Sequence, residues 1–234
     1  MRLSVVLPCL NEAGVIRTTV ERTARWMRAT NIAGEIIVVD DGSADSTPEI
    51  LKTLRTEEPM LRTVRQETTQ GYGAAVRAGC DAAIMDTVAF MDSDGQFDPA
   101  DIGVLLEALG SADVVWAVRT RRADGVLRIV SQRLYQALVR AALGLHSPDL
   151  NSGLKAFHRR TWPQIRPNNA DGALFHAELL QRTLAAGLTI RHVAVHHFPR
   201  TSGKPTGVHP RVIAKMFREL AAMRRASTES RGTR

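Results

Sequence analysis

The stretch Glu35-Ile36-Ile37-Val38-Val39-Asp40-Asp41-Gly42-Ser43-Ala44-Asp45 runs four consecutive β-branched residues directly into acids and a glycine. A short apolar run bounded by turn residues reads as a strand buried on both faces, with its polar end in a loop. Thr47-Pro48-Glu49 then begins a helix, because Ser46 or Thr47 suits the N-cap and Pro48 the first turn. Outward from this unit the same order repeats. Residues 3–8 read as a strand and 12–30 as a helix; 61–64 as a weaker strand and 73–86 as an Ala-rich helix; 87–91 as a strand ending at Asp92. Asp98-Pro99 caps a helix reaching 109, and 113–118 is a further strand. Alternation of this kind predicts an α/β fold, Rossmann-like, with a mostly parallel central sheet and helices on both faces.

The second half is less regular. Residues 126–145 form a helix with Leu127, Val130, Leu134, Leu138 and Ala141 on one stripe. Strands are expected at 151–158 and 189–196, a helix at 175–186, and a Gly/Pro/Ser/Thr loop at 200–207. The expected division is one α/β domain over 1–207, a basic amphipathic helix over 208–226 with Val212, Met216, Leu220 and Met223 on one side, and a flexible tail over 227–234.

With 234 residues, 44% of them hydrophobic, the chain can bury a large core. Its formal charge of +7 favours an anionic partner. Aromatic residues make up 5% and no nucleic-acid-binding motif stands out, so nucleic acid is not the expected partner. Met1-Arg2 leads straight into a strand-like run rather than a signal peptide, and no apolar segment is long enough to span a bilayer. Cys9 and Cys80 show no CxxC spacing and read as buried thiols in a reducing compartment. These features give a cytoplasmic expectation.

In open α/β sheets, ligands bind outside the carboxyl ends of the strands. Polar clusters stand at three such ends, 8–12, 40–45 and 92–96, and a fourth strand ends near Arg119. In Asp92-Ser93-Asp94, carboxylates at i and i+2 after a buried strand point into one pocket. Hard divalent cations, Mg²⁺ or Mn²⁺, take such oxygens together with substrate phosphates, and a turn of solvated acids is the competing reading. Gln96 is a further candidate for metal or phosphate. Asp41 is placed to contact a base and Asp45 to shape the turn into the helix; Glu12 suits ribose hydroxyls and Asn11 a helix N-cap. The N-terminus of the helix after Gly71-Tyr72-Gly73 favours an anion, or its small residues serve close packing. His192, His196 and His197 lack a metal spacing, and Glu178 reads by default as a solvated helix residue.

Four pieces occur in order: PCLNE from Pro8, VVDDGSAD from Val38, GYGAAVRAG from Gly71 and MDSDGQ from Met91. Together they resemble the inverting glycosyltransferases of family 2, which have the GT-A fold, and within them the polyprenol-phosphate sugar synthases of the dolichol-phosphate mannose type. The likeness continues through Arg119, through Asp149-Leu150-Asn151-Ser152-Gly153-Leu154-Lys155, similar to D-x-x-SGFK, and into Arg200-Thr201-Ser202-Gly203-Lys204. It implies that Pro8, Leu10, Glu12, Val39 and Asp41 line a nucleoside site. It implies that Asp92, Asp94 and Gln96 hold metal and diphosphate, with Asp92, Asp94, Arg119 and Arg200 catalytic. Arg128, Asp149, Ser152 and Lys204 would face the acceptor phosphate; Asp149 could instead serve as a base, contact the sugar or cap the turn after Pro148. Leu10 stands where many relatives have Tyr, which removes a ring able to stack on the base and leaves guanine and uracil both open. Leu154 replaces the phenylalanine of SGFK.

The resemblance implies hexose transfer from a GDP-mannose- or UDP-glucose-type donor to polyprenyl phosphate. A phosphate monoester, with a second pKa of about 6, attacks without a strong base, whereas a sugar hydroxyl needs one. Two basic amphipathic helices beside the acceptor site imply peripheral contact with the cytoplasmic face of a membrane; packing on the domain or in a homo-oligomer is the alternative for each. A family 2 enzyme with a hydroxyl acceptor, a nucleotidyltransferase and a nucleic-acid-binding module are the remaining alternatives.

Overall fold

The computed structural model describes residues 1–120, 126–172, 174–199 and 218–223, with the helix backbone alone over 126–133. Its strands are β1 Arg2–Cys9, β2 Ala33–Asp40, β3 Leu61–Arg65, β4 Thr87–Met91, β5 Val114–Thr120, β6 Leu154–His158 and β7 Ile190–His196. They form one sheet in the order β3-β2-β1-β4-β6-β5-β7. Pairing is parallel throughout except at β6, which runs antiparallel to both β4 and β5. The expected mostly parallel sheet is present. The reversed strand is its one departure, and it matters for the site: Met91↔Leu154 pairing puts residues 149–153 at the carboxyl end of β4.

The helices are α1 Ile16–Ala29, α2 Thr47–Glu57, α3 Tyr72–Ala82, α4 Ala100–Leu109, α5 Val126–Leu143, α6 Trp162–Ile165 and α7 Phe175–Ala185. Alternation along the strands feeds two cores. Leu3, Val5 and Leu7 of β1 with Ile36 and Val38 of β2 face α1, α2 and α4. Val6, Ile37 and Val39 face the other way, toward α3, α6 and α7. Strand β1 extends past the expected end at Pro8, which pairs with Val39. Proline fits there because the pairing with β4 has already ended at Val6↔Phe90, so no ladder hydrogen bond on that side is lost.

Packing sorts three surface features. On α5 Leu134, in the stripe read as membrane-facing or packed on the domain, is 72% exposed. The neighbouring stripe of Tyr135, Val139 and Ala142 packs on the second core instead. Both stripes are apolar, so periodicity alone cannot choose between them. Residues 218–223 are helical, but Leu220 and Met223 are buried in the second core rather than turned outward. Glu219 fastens that turn by accepting from the backbone N–H groups of Asp171 (3.1 Å), Gly172 (2.9 Å) and Leu174 (3.3 Å). Glu178 is buried, not solvated, and accepts from the N–H groups of Asn168 and Asn169, both at 2.8 Å.

Helix α3 lies against the sheet at Gly79, where an added Cβ would meet Val39 Cγ2 at 2.9 Å and come closer still to Val6 Cγ1. Gly79→Ala gains up to about 1 kcal/mol in helix propensity but overpacks this contact at a cost of about 1–3 kcal/mol. The variant should be less stable than the parent by urea denaturation, despite the better helix former.

Candidate active site

The loops after β1 and β2 are fastened to each other as well as to the helices that follow them. Asn11, at φ +55°, donates its N–H to Ser43 Oγ (2.8 Å). Its Oδ1 accepts from Ala44 N–H (2.8 Å) and Asp45 N–H (3.3 Å). The expected N-cap of α1 is therefore a cross-loop bracket, and α1 starts only at Ile16. Glu12 N–H donates to Thr47 Oγ1 (3.0 Å). Asp45 accepts from Thr47 N–H (3.0 Å) and Ala13 N–H (3.2 Å), which is the structural part expected of it. Although burial works against it, these bonds hold the Asp45 carboxyl below its ordinary range.

Pro8, Glu12, Val39 and Asp41 are buried at this end of the sheet and Leu10 is half-buried in the loop after β1. Asp41 does more than wait for a base. Its Oδ1 accepts from Gln70 N–H (2.7 Å) and its Oδ2 from Gly71 N–H (2.9 Å), pinning the turn that opens α3. Carboxylate oxygens have lone pairs beyond these two bonds, so a base contact and a structural one are compatible.

Asp92-Ser93-Asp94 caps the centre of the sheet. Ser93 points inward, with Oγ donating to Pro8 O (2.7 Å) and its carbonyl accepting from Thr19 Oγ1 (3.0 Å). Asp94 Oδ1 accepts from Gln96 N–H (3.0 Å) across Gly95, whose φ of +76° is the left-handed turn glycine adopts at least cost. Asp92 Oδ1 is buried and has no hydrogen-bond partner among the described residues. Burial, then the neighbouring Asp94, push the Asp92 carboxyl up to about 6. Tyr72 stands beside both acids; burial and their negative charge push its phenol well above the ordinary range. Gln96 is tied elsewhere than expected: Nε2 donates to Phe198 O (2.9 Å) and Phe198 N–H returns a bond to Gln96 O (2.8 Å). Its amide joins the segment after β7 to the acidic loop.

Arg119 and Asp149 form a buried bidentate pair, Nε to Oδ2 and Nη2 to Oδ1 both at 2.8 Å, with Arg119 N–H also on Oδ2 (3.1 Å). Ser152 is fully buried and its Oγ lacks a hydrogen-bond partner among the described residues. Arg200 and Lys204 lie outside the described residues, as does the side chain of Arg128. His196 and His197 do face opposite sides: the first is exposed beside Asp101, the second is buried edge-on to Phe97.

Sequence reasoning left three neighbours out. Lys155 is fully buried, with Nζ donating to Ser152 O, 3.2 Å from His176 Nδ1 and 4.1 Å from the centre of the Trp116 ring. Burial drives the Lys155 amine well below its ordinary pKa while Asp149 and Asp92 pull the other way. His176 is likewise driven well below, by burial and then by Lys155 and Arg119. Gly153 lies directly against the Asp92 carboxylate. Gly153 and Lys155 sit in the quoted 149–155 stretch and were legible as a motif; His176 carried no signal.

The acidic loop suits a hard dication. Two carboxylates stand together, one with a buried oxygen still to be satisfied. No group of three or more His, Cys, Asp or Glu side chains among the described residues would hold a metal without help. Mg²⁺ and Mn²⁺ commonly complete such a partial shell with substrate phosphates and water.

Residues 4–177 match the family described as Glycosyl transferase family 2. Glycosyltransferase AglD of Haloferax volcanii is 32% identical over 213 residues, covering 87% of this chain and 34% of the relative. An undecaprenyl-phosphate 4-deoxy-4-formamido-L-arabinose transferase of Pectobacterium carotovorum is 33% identical over 160 residues, 67% of this chain and 49% of its own length. The chain thus spans from about a third to just under two thirds of the curated relatives it matches. Among solved structures, glucosyl-3-phosphoglycerate synthase from Mycobacterium tuberculosis, in complex with Mn²⁺, UDP and glucosyl-3-phosphoglycerate, superposes with a TM-score of 0.69. The two are 27% identical, over 94% of this chain and 80% of that one.

Asp92 predicts a pH-dependent cost. With its folded pKa raised to about 6, it disfavours folding above that pH, and the cost fades as pH falls toward the unfolded value. In the absence of divalent metal, Asp92→Asn should therefore be more stable than the parent at pH 7.5, by up to about 3 kcal/mol. That advantage should shrink to about half at pH 5 and nearly vanish at pH 4. Urea denaturation of both proteins at the three pH values measures it.

Proposed function

This chain belongs to glycosyl transferase family 2, and on that premise we propose that it moves a hexose from a nucleotide-diphosphate sugar to the phosphate of a polyprenyl phosphate. The observation that carries the donor half is the buried Asp92–Asp94 pair at the carboxyl end of β4, with an Asp92 oxygen awaiting a partner. In this reading Asp92 and Asp94 hold Mg²⁺ or Mn²⁺, which would neutralise the diphosphate and make it a better leaving group. The nucleoside lies along Pro8, Leu10, Glu12, Val39 and Asp41. The solved relative with Mn²⁺ and UDP supports this arrangement and a UDP-type donor.

The acceptor half rests on Asp149. A hydroxyl acceptor needs a base, and Asp149, which with Asp92 flanks Lys155, is committed to Arg119 through three hydrogen bonds. To serve as a base it would have to break a buried ion pair, which costs several kcal/mol. An ionised phosphate needs no base. Its oxygen forms the new bond to the anomeric carbon, the bond to the diphosphate oxygen breaks with inversion, and the nucleoside diphosphate departs with the electron pair. What the step requires is cations that hold two repelling phosphates, and we assign that task to Arg119, Arg200, Lys204 and Arg128, with Ser152 at the acceptor. The undecaprenyl-phosphate transferases among the relatives support this acceptor.

No helix of the described residues is long and apolar enough to cross a membrane. We propose peripheral contact at the cytoplasmic face of a membrane, and the exposed Leu134 on α5 supports that helix as the contact. A second reading, transfer to a small phosphorylated acceptor, is favoured by the phosphoglycerate product named for the solved relative.

A panel of UDP- and GDP-sugars, each with polyprenyl phosphate or phosphoglyceric acid and with or without Mg²⁺ or Mn²⁺, distinguishes the two. Metal-dependent glycosylated lipid is the expected product. Asp94→Ala should lower transfer about 100-fold or more with the fold intact by circular dichroism; full turnover in that variant or in chelator would remove the metal assignment. Arg200→Ala should lower kcat/KM for the lipid about 10-fold or more while leaving nucleotide affinity unchanged. An unaltered rate would strike Arg200 from the phosphate site.

A further inference from the structure

Gly153 does not owe its identity to backbone conformation, because its φ lies outside the left-handed region that favours glycine. What it cannot tolerate is a side chain. A Cβ placed there would meet Asp92 Cγ, Oδ1 and Oδ2, all far inside the 3.0 Å that real Cβ contacts keep. Nor can residue 153 retreat. The peptide before it is held through Ser152 O by the buried Lys155 amine, and Ser152 N–H donates to Asp149 O (3.2 Å). The peptide after it is held through Gly153 O by Asp92 N–H (3.1 Å). The next residue, Leu154, is already in β6, paired with Met91.

We propose that Gly153 is a positioning residue for Asp92: its bare Cα, clamped from both sides, is the wall against which the carboxylate rests, and it fixes where that carboxylate stands beside Asp94. The antiparallel β6 thus serves the acidic loop by delivering a surface without a side chain. The inference deepens the proposed function by naming what aims the first acid of the metal pair, but its steric content needs no donor, metal or acceptor.

The test is a double-mutant cycle between Gly153→Ala and Asp92→Ala, read by thermal unfolding without ligand and by Mn²⁺ affinity in the presence of UDP. In the parent background Gly153→Ala should lower Tm by about 4 °C or more. In the Asp92→Ala background, where the colliding atoms are gone, it should lower Tm by less than about 1 °C. Should Gly153→Ala alone fail to fold, the double variant should fold. Mn²⁺ affinity should drop about 10-fold or more in Gly153→Ala, as for loss of a ligand's supporting contact. Equal Tm losses in both backgrounds, an unfolded double variant, or parent-like Mn²⁺ affinity in Gly153→Ala would overturn the proposal. If the parent itself binds no Mn²⁺, the metal reading falls, while the Tm cycle still decides the role of Gly153.

Discussion

A carboxylate taken out of water and set beside a second one is costly unless something positive meets it. Asp92 is in that position, with one oxygen unsatisfied and Asp94 adding to the strain. Around it the described residues arrange steric and backbone support, with Arg119 and Lys155 as the charges that favour its ionised form. Gly153 leaves room for the carboxyl group, Tyr72 borders it, and Ser93 locks the loop to β1 and α1. The Lys155 amine lies nearby, but it is spent on Ser152 O, His176 and the Trp116 ring. Such a site suits the dication proposed for it, which would arrive with the donor phosphates.

The same economy of charge organises the proposed acceptor side. Arg119 and Asp149 neutralise each other deep in the fold, so this carboxylate is preoccupied and this guanidinium is rigidly held. Rigidity suits the phosphate-orienting task proposed for Arg119, because a preorganised fork loses little freedom on binding. It argues against Asp149 as a freely titrating base, which a hydroxyl acceptor would need and a phosphate would not.

Support for the site comes from distant segments. Phe198 reaches Gln96 just before the chain continues to Arg200. Glu219 fastens the turn at 171–174, whose Asp171 carbonyl accepts from Gly73 N–H at the start of α3, next to Tyr72. The packed turn at 218–223 is therefore continuous with the catalytic fold in the described residues. Among the described residues, α5 offers the exposed Leu134 for lipid contact, whereas Leu220 and Met223 are packed inward.

Much of this was written in the chain itself. Runs such as Ile36-Ile37-Val38-Val39 can be satisfied only by burial on both faces, so strand, sheet and the position of the acidic loops followed from local pattern, and Asp92 and Asp94 were identifiable from their place after β4. Which apolar stripe of α5 is buried depended on the second core. That Glu178 and Glu219 hold backbone N–H groups and that Asn11 braces a neighbouring loop depended on partners 9 to 48 residues away. So did the reversal of β6, which brings Gly153 under Asp92 across 61 residues of chain. Periodicity reports how a residue relates to its own element. Collisions, ion pairs and the room left for a carboxylate are set by elements that only tertiary packing brings together.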